Sequence, residues 1–408
     1  MLKYWTRYHH SIWSGVLLMI RMIASFGAQK VVAIFYGPAG TTLFSHFQNF
    51  VALFTQPIQD AVANGLINAF PKKSLQKTQV VGASIILLVF LVISTGLVLL
   101  VSAQFKQSYF SFTLENWLLI IPSGLLFCFG LIVSAIYVIQ KKLELYSFIV
   151  LLQWSVFFLS LFYIDFELNA FLIYWLSIQS VFSIILIIPI HSLLQFNFKI
   201  DRKVKNHFKQ FLIMALTIWL SSKWVDFYVR EFAIQEFGTI QTGLWQAVVR
   251  VSDAYRGLVI SFLFLSLYPR LSQNLADSKL DMSNLRRYYL MYFLVSIAFL
   301  FLVFQFNEFI LQALYDKPYV AASNLFQYQI IGDFFAFLAL PISIYLIAAV
   351  KTKTYILTEL VSAFIFVALI VSKVEVGIEI LVFAHIIRFV CYFLMLSLIG
   401  IKSLRNVR

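Results

Sequence analysis

Seven basic side chains, Arg21, Lys30, Lys223, Arg230, Arg250, Arg256 and Arg388, and five acidic ones, Asp60, Asp226, Asp253, Asp333 and Glu359, fall inside otherwise apolar stretches. A charge at the centre of a bilayer costs roughly 2.5 to 3.5 kcal/mol on insertion scales. Twelve facing lipid would cost on the order of 36 kcal/mol, beyond the roughly 5 to 15 kcal/mol that holds a domain folded. They therefore have to face a wet or protein-lined interior, and the excess of cations suits that interior to an anion. Arg250, Asp253 and Arg256 lie deep in a stretch with no polar boundary nearby and leave a net positive site. Guanidinium groups match phosphate oxygens in a bidentate fork and stay charged at any pH, so this triplet is the best anchor for a diphosphate. A three-way salt bridge is the structural alternative.

Lys223, Asp226 and Arg230 share one helical face, so the acid can pair with either cation and the group could equally be a structural ion pair. Lys30 and Arg230 sit near the outer ends of their stretches, where long side chains can snorkel. A polar stripe runs along residues 42–70: at 100° per residue, Gln56, Asp60, His46 and Asn64 all fall within 60° of Asn49. Pro57 lies within it. The stripe would line a cavity or bond to neighbouring helices, and its carboxylate favours the cavity. Asp60 and Asp253, with Asp226 and Asp333, are the candidate coupling acids.

The elements that must position these groups are set by composition. With 61% hydrophobic and only 12% charged residues, the 408-residue chain is an integral membrane protein. Cys128 and Cys391 lie in apolar stretches without CxxC or Cys/His spacing, so neither a disulfide framework, a metal site nor a cofactor is implied. The first apolar run continues past Arg21 to Phe35, too long for a signal peptide, and reads as a membrane span. No phosphate loop, HExxH, GxSxG or Cys/His cluster is present, and the longest segments outside spans are about 20 residues, which argues against an enzyme.

Runs of about 20 apolar residues predict twelve transmembrane helices, over 12–36, 42–70, 80–102, 116–140, 146–163, 169–190, 208–230, 242–268, 288–304, 323–350, 354–371 and 378–399. Charge asymmetry agrees: one set of alternating loops carries 21 Lys and Arg, the other only Lys106, Lys317 and Lys373. Both termini are expected to be cytoplasmic. The +13 net charge is then mostly a topology signal, and nucleic acid need not be invoked.

The chain also echoes itself at an offset near 200. Lys30 to Gly37 resembles Arg230 to Gly238, and the segment from Phe70 through Pro71 to Gln76 resembles that from Tyr268 through Pro269 to Gln273. Two six-helix bundles in the same orientation, residues 1–200 and 201–408, are the economical reading. Parallel repeats of this kind place a substrate path between the halves.

Lys30 to Gly40 ends in Phe-Tyr-Gly-Pro-Ala-Gly; Gln329 to Asp333 reads Gln-Ile-Ile-Gly-Asp, followed by Tyr345 to Ala348 and the Tyr355 to Glu359 segment. In order and spacing on a twelve-span chain, these resemble polysaccharide flippases of the Wzx type, above all the translocases of enterobacterial common antigen (lipid III) and O-antigen. That group lies within the superfamily (MOP) that includes the multidrug and toxin extruders (MATE). The resemblance implies an all-α, V-shaped pair of six-helix bundles around a central cationic cavity in the bacterial inner membrane. It also implies transfer of undecaprenyl-diphosphate-linked oligosaccharide from the inner to the outer leaflet. Arginines on the first and eighth helices contact the diphosphate in such flippases, which here are Arg21 and Arg250 or Arg256. Arg230, Lys30 and Arg388 are further candidates for the cavity wall. The second span departs from the pattern, having Asp60 but no cation.

Alternating access about a fixed cationic site is the expected mechanism, with the lipid tail remaining in the membrane. Outward movement of an anion of charge about −2 gains about 4.6 kcal/mol per 100 mV, so membrane potential could drive it; protonation of a cavity acid could do so instead. Besides the lipid-linked oligosaccharide and membrane lipid, pathway logic gives a polysaccharide polymerase and a chain-length regulator as partners. The rival readings are a cation-coupled drug exporter of the same superfamily, disfavoured by a cavity with more cations than acids, and a membrane enzyme of envelope sugar assembly.

Overall fold

A computed structural model describes residues 2–70, 75–103, 112–140, 142–163, 167–189, 197–267, 271, 282–349, 351–372 and 377–405. Lys72, Lys73, Lys106, Lys141, Arg270, Lys279 and Lys373, which enter the loop-charge argument, lie outside the described residues, as does the start of the second echo at Tyr268. Among the described residues every regular element is helical: α1 Leu2–Pro57, α2 Asn64–Ala69, α3 Lys77–Ala103, α4 Leu114–Ile139, α5 Leu143–Ser160, α6 Leu168–Ile187, α7 Arg202–Ile218, α8 Val225–Ser266, α9 Met282–Gln305, α10 Asn307–Leu314, α11 Ser323–Ala348, α12 Thr352–Val371 and α13 Glu379–Arg405. Two π-helical turns, Ile58–Ala63 and Trp219–Trp224, and a 3₁₀ turn, Lys317–Ala322, join some of them.

Among the described residues nine helical stretches are long and apolar enough to cross a membrane, or ten if α9 and α10, bent by 69° to one another, are one span. Two of the nine are too long for one crossing: 57 residues from Trp13 to Ala69 and 59 from Arg202 to Ile260. A straight helix of that length would be about 85 Å, nearly three times the hydrocarbon thickness of about 30 Å. Each is broken by a glycine, Gly37 (φ 64°, ψ −163°) and Gly238 (φ 77°, ψ 171°). Positive φ costs a side-chain-bearing residue, so only glycine turns the backbone freely there. Counting one span on either side of each break gives twelve among the described residues, as the apolar runs predict. Both breaks close the echoing segments Lys30 to Gly37 and Arg230 to Gly238. Outward-facing Ile23, Leu118, Phe148, Phe364 and Leu398 fit a surface solvated by lipid rather than water.

Two prolines expose carbonyls that distant side chains then satisfy. Pro57 has no N–H to offer the carbonyl of Leu53, and the indole N–H of Trp219 donates to that oxygen at 3.0 Å. Pro341 likewise leaves the carbonyl of Phe337 open, and the Tyr292 hydroxyl donates to it at 3.1 Å. In a membrane interior an unsatisfied carbonyl finds no water, so each partner helps fix the packing of its helix.

The chain forms two compact units. One comprises Met1–Ala28 and Leu43–Trp224, the other Gln29–Thr42 and Val225–Arg408. In the first, Phe44 and Phe47 of α1 pack edge-on against Trp175 of α6, with Phe171 and Phe157 behind them. Gly130 lets α4 approach α6, since a Cβ there would lie 2.1 Å from Ser183 Oγ. In the second, Gly332 of α11 lies so close to His385 of α13 that a Cβ would come within 2.3 Å of the imidazole. The short segment of α1 that belongs to this unit is held by side chains at both ends. Lys30 Nζ donates to the Ala313 carbonyl (2.6 Å), Thr41 bonds to the Tyr319 hydroxyl, and Thr42 Oγ1 donates to the Thr239 carbonyl (2.5 Å). Gly243 permits this contact, because a Cβ would be 2.0 Å from the Pro38 oxygen.

Candidate functional site

In the first unit, Arg21 is exposed and donates a hydrogen bond to the Tyr146 hydroxyl across to α5, its guanidinium 5.5 Å from the centre of that ring. Asp60 sits in the π-helical turn after Pro57 and accepts from Gln56 Nε2 (2.9 Å) and Asn64 Nδ2 (3.4 Å). Lys223 is within electrostatic reach of it. The polar stripe grades along its length: His46 and Asn49 are buried, Gln56 and Asp60 half-buried, and Asn64 exposed. The wider π turn also rotates the residues after Pro57 relative to a uniform α-helix, a register change that angular projection at 100° per residue does not contain.

The remaining candidates gather in the second unit. Lys223 and Asp226 fall on either side of the passage from one unit to the other at Trp224 and Val225. Lys30 caps the carboxyl end of α10 through Ala313, where the helix dipole and the open carbonyls favour a cation. Arg230 is only 4% exposed, and its Nε and Nη1 have no hydrogen-bond partner. Arg250, Asp226 and Asp253 lie within its electrostatic reach. Arg388 stacks over Phe366 and Phe389 at 5.2 and 5.3 Å, its Nε without a hydrogen-bond partner, with Glu359 and Asp226 in electrostatic reach. Glu359 itself accepts from the Tyr392 hydroxyl at 2.6 Å.

Arg256 is placed differently. Its Nη1 lies 3.6 Å from Asp333 Oδ1, and its guanidinium 4.9 Å above the Phe389 ring. Asp333 is wholly enclosed and accepts from Ser252 Oγ (2.6 Å) and the Tyr255 hydroxyl, with His385 Nε2 at 3.1 Å. Gln329 Nε2 donates to Ser252 Oγ (3.3 Å) and stands 2.9 Å from His385 Nε2. Three helices thus converge on one carboxylate: α8 with Ser252, Tyr255 and Arg256, α11 with Gln329 and Asp333, and α13 with His385. Sequence reasoning found Asp333 and Arg256 separately but neither His385 nor Tyr255. The available signal was the helical spacing of His385 from Arg388 and of Gln329 from Asp333, which puts each pair on one face.

Twelve spans with two internal breaks in echoing segments are the frame that holds these charges, and known structures share it. A multidrug resistance MATE family transporter of the MOP superfamily in an outward-facing conformation superposes with a TM-score of 0.68 at 12% identity, covering 97% of this chain and 94% of that one. A MOP superfamily transporter from Pyrococcus furiosus, described as having a binding pocket of reverse polarity that suggests a different function, superposes with a TM-score of 0.64 at 11% identity, covering 97% and 95%. The protein is a multi-pass membrane protein with the fold of the MOP-superfamily transporters. No family model matches the chain. In sequence it is similar to the lipid III flippase of Escherichia coli K12, 22% identical over 369 residues that cover 86% of this chain and 87% of that protein; the Shigella flexneri lipid III flippase matches equally. The likeness to a MOP-superfamily flippase that the sequence motifs imply is therefore borne out.

Proposed function

We propose that this protein carries an undecaprenyl-diphosphate-linked oligosaccharide from the inner to the outer leaflet of the bacterial inner membrane by alternating access, in assembly of O-antigen or a related surface polysaccharide. Both termini lie in the cytoplasm, and the repeat halves 1–200 and 201–408 supply the two sides of the cycle. The observation that carries the reading is Arg230: a buried guanidinium, two of its nitrogens without acceptors, with Arg250 in electrostatic reach. A buried unsatisfied donor costs about 1 to 3 kcal/mol and more when charged, so such a group is kept where a ligand supplies the acceptors. A diphosphate does so and neutralises the neighbouring cations as well. For the Pyrococcus furiosus transporter, too, the polarity of the pocket is described as suggesting a different function.

Arg230, Arg250 and Arg388 form the diphosphate face of the second unit in this reading, Arg21 is a separate candidate anion contact of the first unit, and Arg256 is held for the Asp333 cluster. Lys30 is a helix cap. Asp60, Asp226 and Asp253 balance charge around the path, and His46, Asn49, Gln56 and Asn64 supply polar groups to the first unit. The test is translocation of a fluorescent undecaprenyl-diphosphate oligosaccharide in proteoliposomes, comparing wild type with Arg230→Ala/Arg250→Ala. Transport by wild type and its loss in a folded double variant is the expected result. Transport indifferent to both arginines, or efflux of organic cations instead, would overturn the reading.

A further inference from the structure

We propose that His385 is the proton-exchange residue of the Asp333 cluster, passing protons between accessible space and the enclosed carboxylate during the transport cycle. The role rests on the alternating-access reading above; the proton chemistry rests on the geometry of the cluster itself.

Asp333 has no accessible side-chain surface, whereas the side chains of His385 and Arg256 are 10% and 24% exposed. A proton reaching the carboxylate from outside has to come past one of them or through the hydroxyls of Ser252, wholly enclosed, and Tyr255, about as accessible as His385. Arginine does not release its proton, and serine and tyrosine ionise far above physiological pH. Imidazole alone in this ring both gains and loses a proton near neutrality. The proton it gains at one nitrogen can leave from Nε2 to Asp333 Oδ1, 3.1 Å away, giving a neutral carboxylic acid and a neutral imidazole.

The neighbours of Nε2 make opposite demands. A carboxylate at 3.1 Å requires Nε2 to be a donor. The Gln329 amide nitrogen at 2.9 Å requires it to be an acceptor. The amide direction is tied to the rest of the network: one amide hydrogen goes to Ser252 Oγ, and the single Ser252 hydroxyl hydrogen goes on to Asp333 Oδ2. With the proton on Asp333 Oδ1, the acid O–H and the Gln329 amide both face the single Nε2 lone pair, and one of the two donates to it. With the proton on Nε2, the carboxylate is served and Gln329 has to turn its oxygen inward. The contacts therefore do not hold the proton on one group alone, and Gln329 is the group that has to re-pair.

The charges around His385 do not compete for the proton. Arg256 from α8 and Arg388 from its own helix are permanent cations within electrostatic reach. Glu359 of α12 is engaged by Tyr392. Asp333 is the titrating partner in direct contact. Gly332 sets the distance, since any side chain there would push against the ring.

The test uses full-length protein labelled with ¹⁵N-histidine, with His385 assigned among the six histidines by its loss in His385→Gln. In wild type the His385 signals should pass between donor and acceptor forms of Nε2 as the pH is varied. Asp333→Asn should move that midpoint by at least about one pH unit. Gly332→Ala, which removes no titrating group, should disturb the same step and serves if His385→Gln does not fold. Signals fixed in one tautomer throughout the range would overturn the assignment. So would a pH profile of lipid translocation unchanged in folded His385→Gln. A normal histidine step in a protein that moves no polyprenyl-diphosphate lipid would instead refute the proposed substrate and leave the proton site standing.

Discussion

Replacing Tyr292 by Phe removes one hydroxyl and little else, and its cost should depend on a proline 49 positions further along the chain. Interhelical hydrogen bonds in membranes average only about 0.6 kcal/mol, with a maximum near 1.7, because separated helices find other partners for the same groups. Phe337 is an exception to that reasoning. Its carbonyl faces Pro341 within α11, so it is unsatisfied in the separated helix as well, and the Tyr292 hydroxyl is its donor in the folded protein. The expected loss for Tyr292→Phe is therefore at the top of the range, about 1.5 kcal/mol. In a Pro341→Ala background the alanine N–H can close the ordinary helical bond to Phe337, and the same tyrosine change should cost about 0.5 kcal/mol or less. A double-mutant cycle measured by reversible unfolding in mixed detergent micelles would then give a coupling of about 1 kcal/mol. Equal losses in both backgrounds would show that the Tyr292 bond contributes no more than any other and would refute the argument.

Asp333→Leu should take from Arg256 its 3.6 Å ion-pair partner and strand the buried Ser252 and Tyr255 hydroxyls, a loss of about 1 to 3 kcal/mol per stranded group, visible as lowered thermal stability in detergent. Gly243→Ala should be more disruptive than its size implies, because the new methyl would lie 2.0 Å from the Pro38 oxygen; thermal stability in detergent should drop sharply, while alanine at Gly257, which has open space, should not matter. Lys30→Met should cost about 0.3 to 1 kcal/mol as a lost helix cap and leave transport close to wild type, in contrast to Arg230→Ala.

What could be read beforehand and what could not divide along physical lines. Membrane spans and charges set within apolar runs are properties of composition along the chain, so the twelve apolar runs and Arg21, Arg230, Arg250, Arg256 and Asp333 stand out directly. The breaks at Gly37 and Gly238 show as boundaries between apolar runs, but their positive φ does not. The π turns at Ile58–Ala63 and Trp219–Trp224 leave no trace in hydropathy, since one extra residue per turn changes which face a side chain occupies without changing its character. The donors to Leu53 and Phe337 are further off still: each proline announces an open carbonyl, yet nothing local names Trp219 or Tyr292 as its partner. Likewise His385 reads as a lone histidine in a helix until Gly332 and Asp333 are seen against it.

The residues Gln29–Thr42 are made early and used late. Thr41 meets Tyr319, a residue 278 positions downstream, and at about 5 to 20 residues per second the ribosome takes roughly 15 to 55 s to supply it. Through most of that interval Lys30 and Thr41 lack the long-range partners they have in the finished fold, Ala313 and Tyr319, while Thr239, the partner of Thr42, is made earlier. The second unit therefore waits for its own late residues before it can hold the stretch that the chain delivered first.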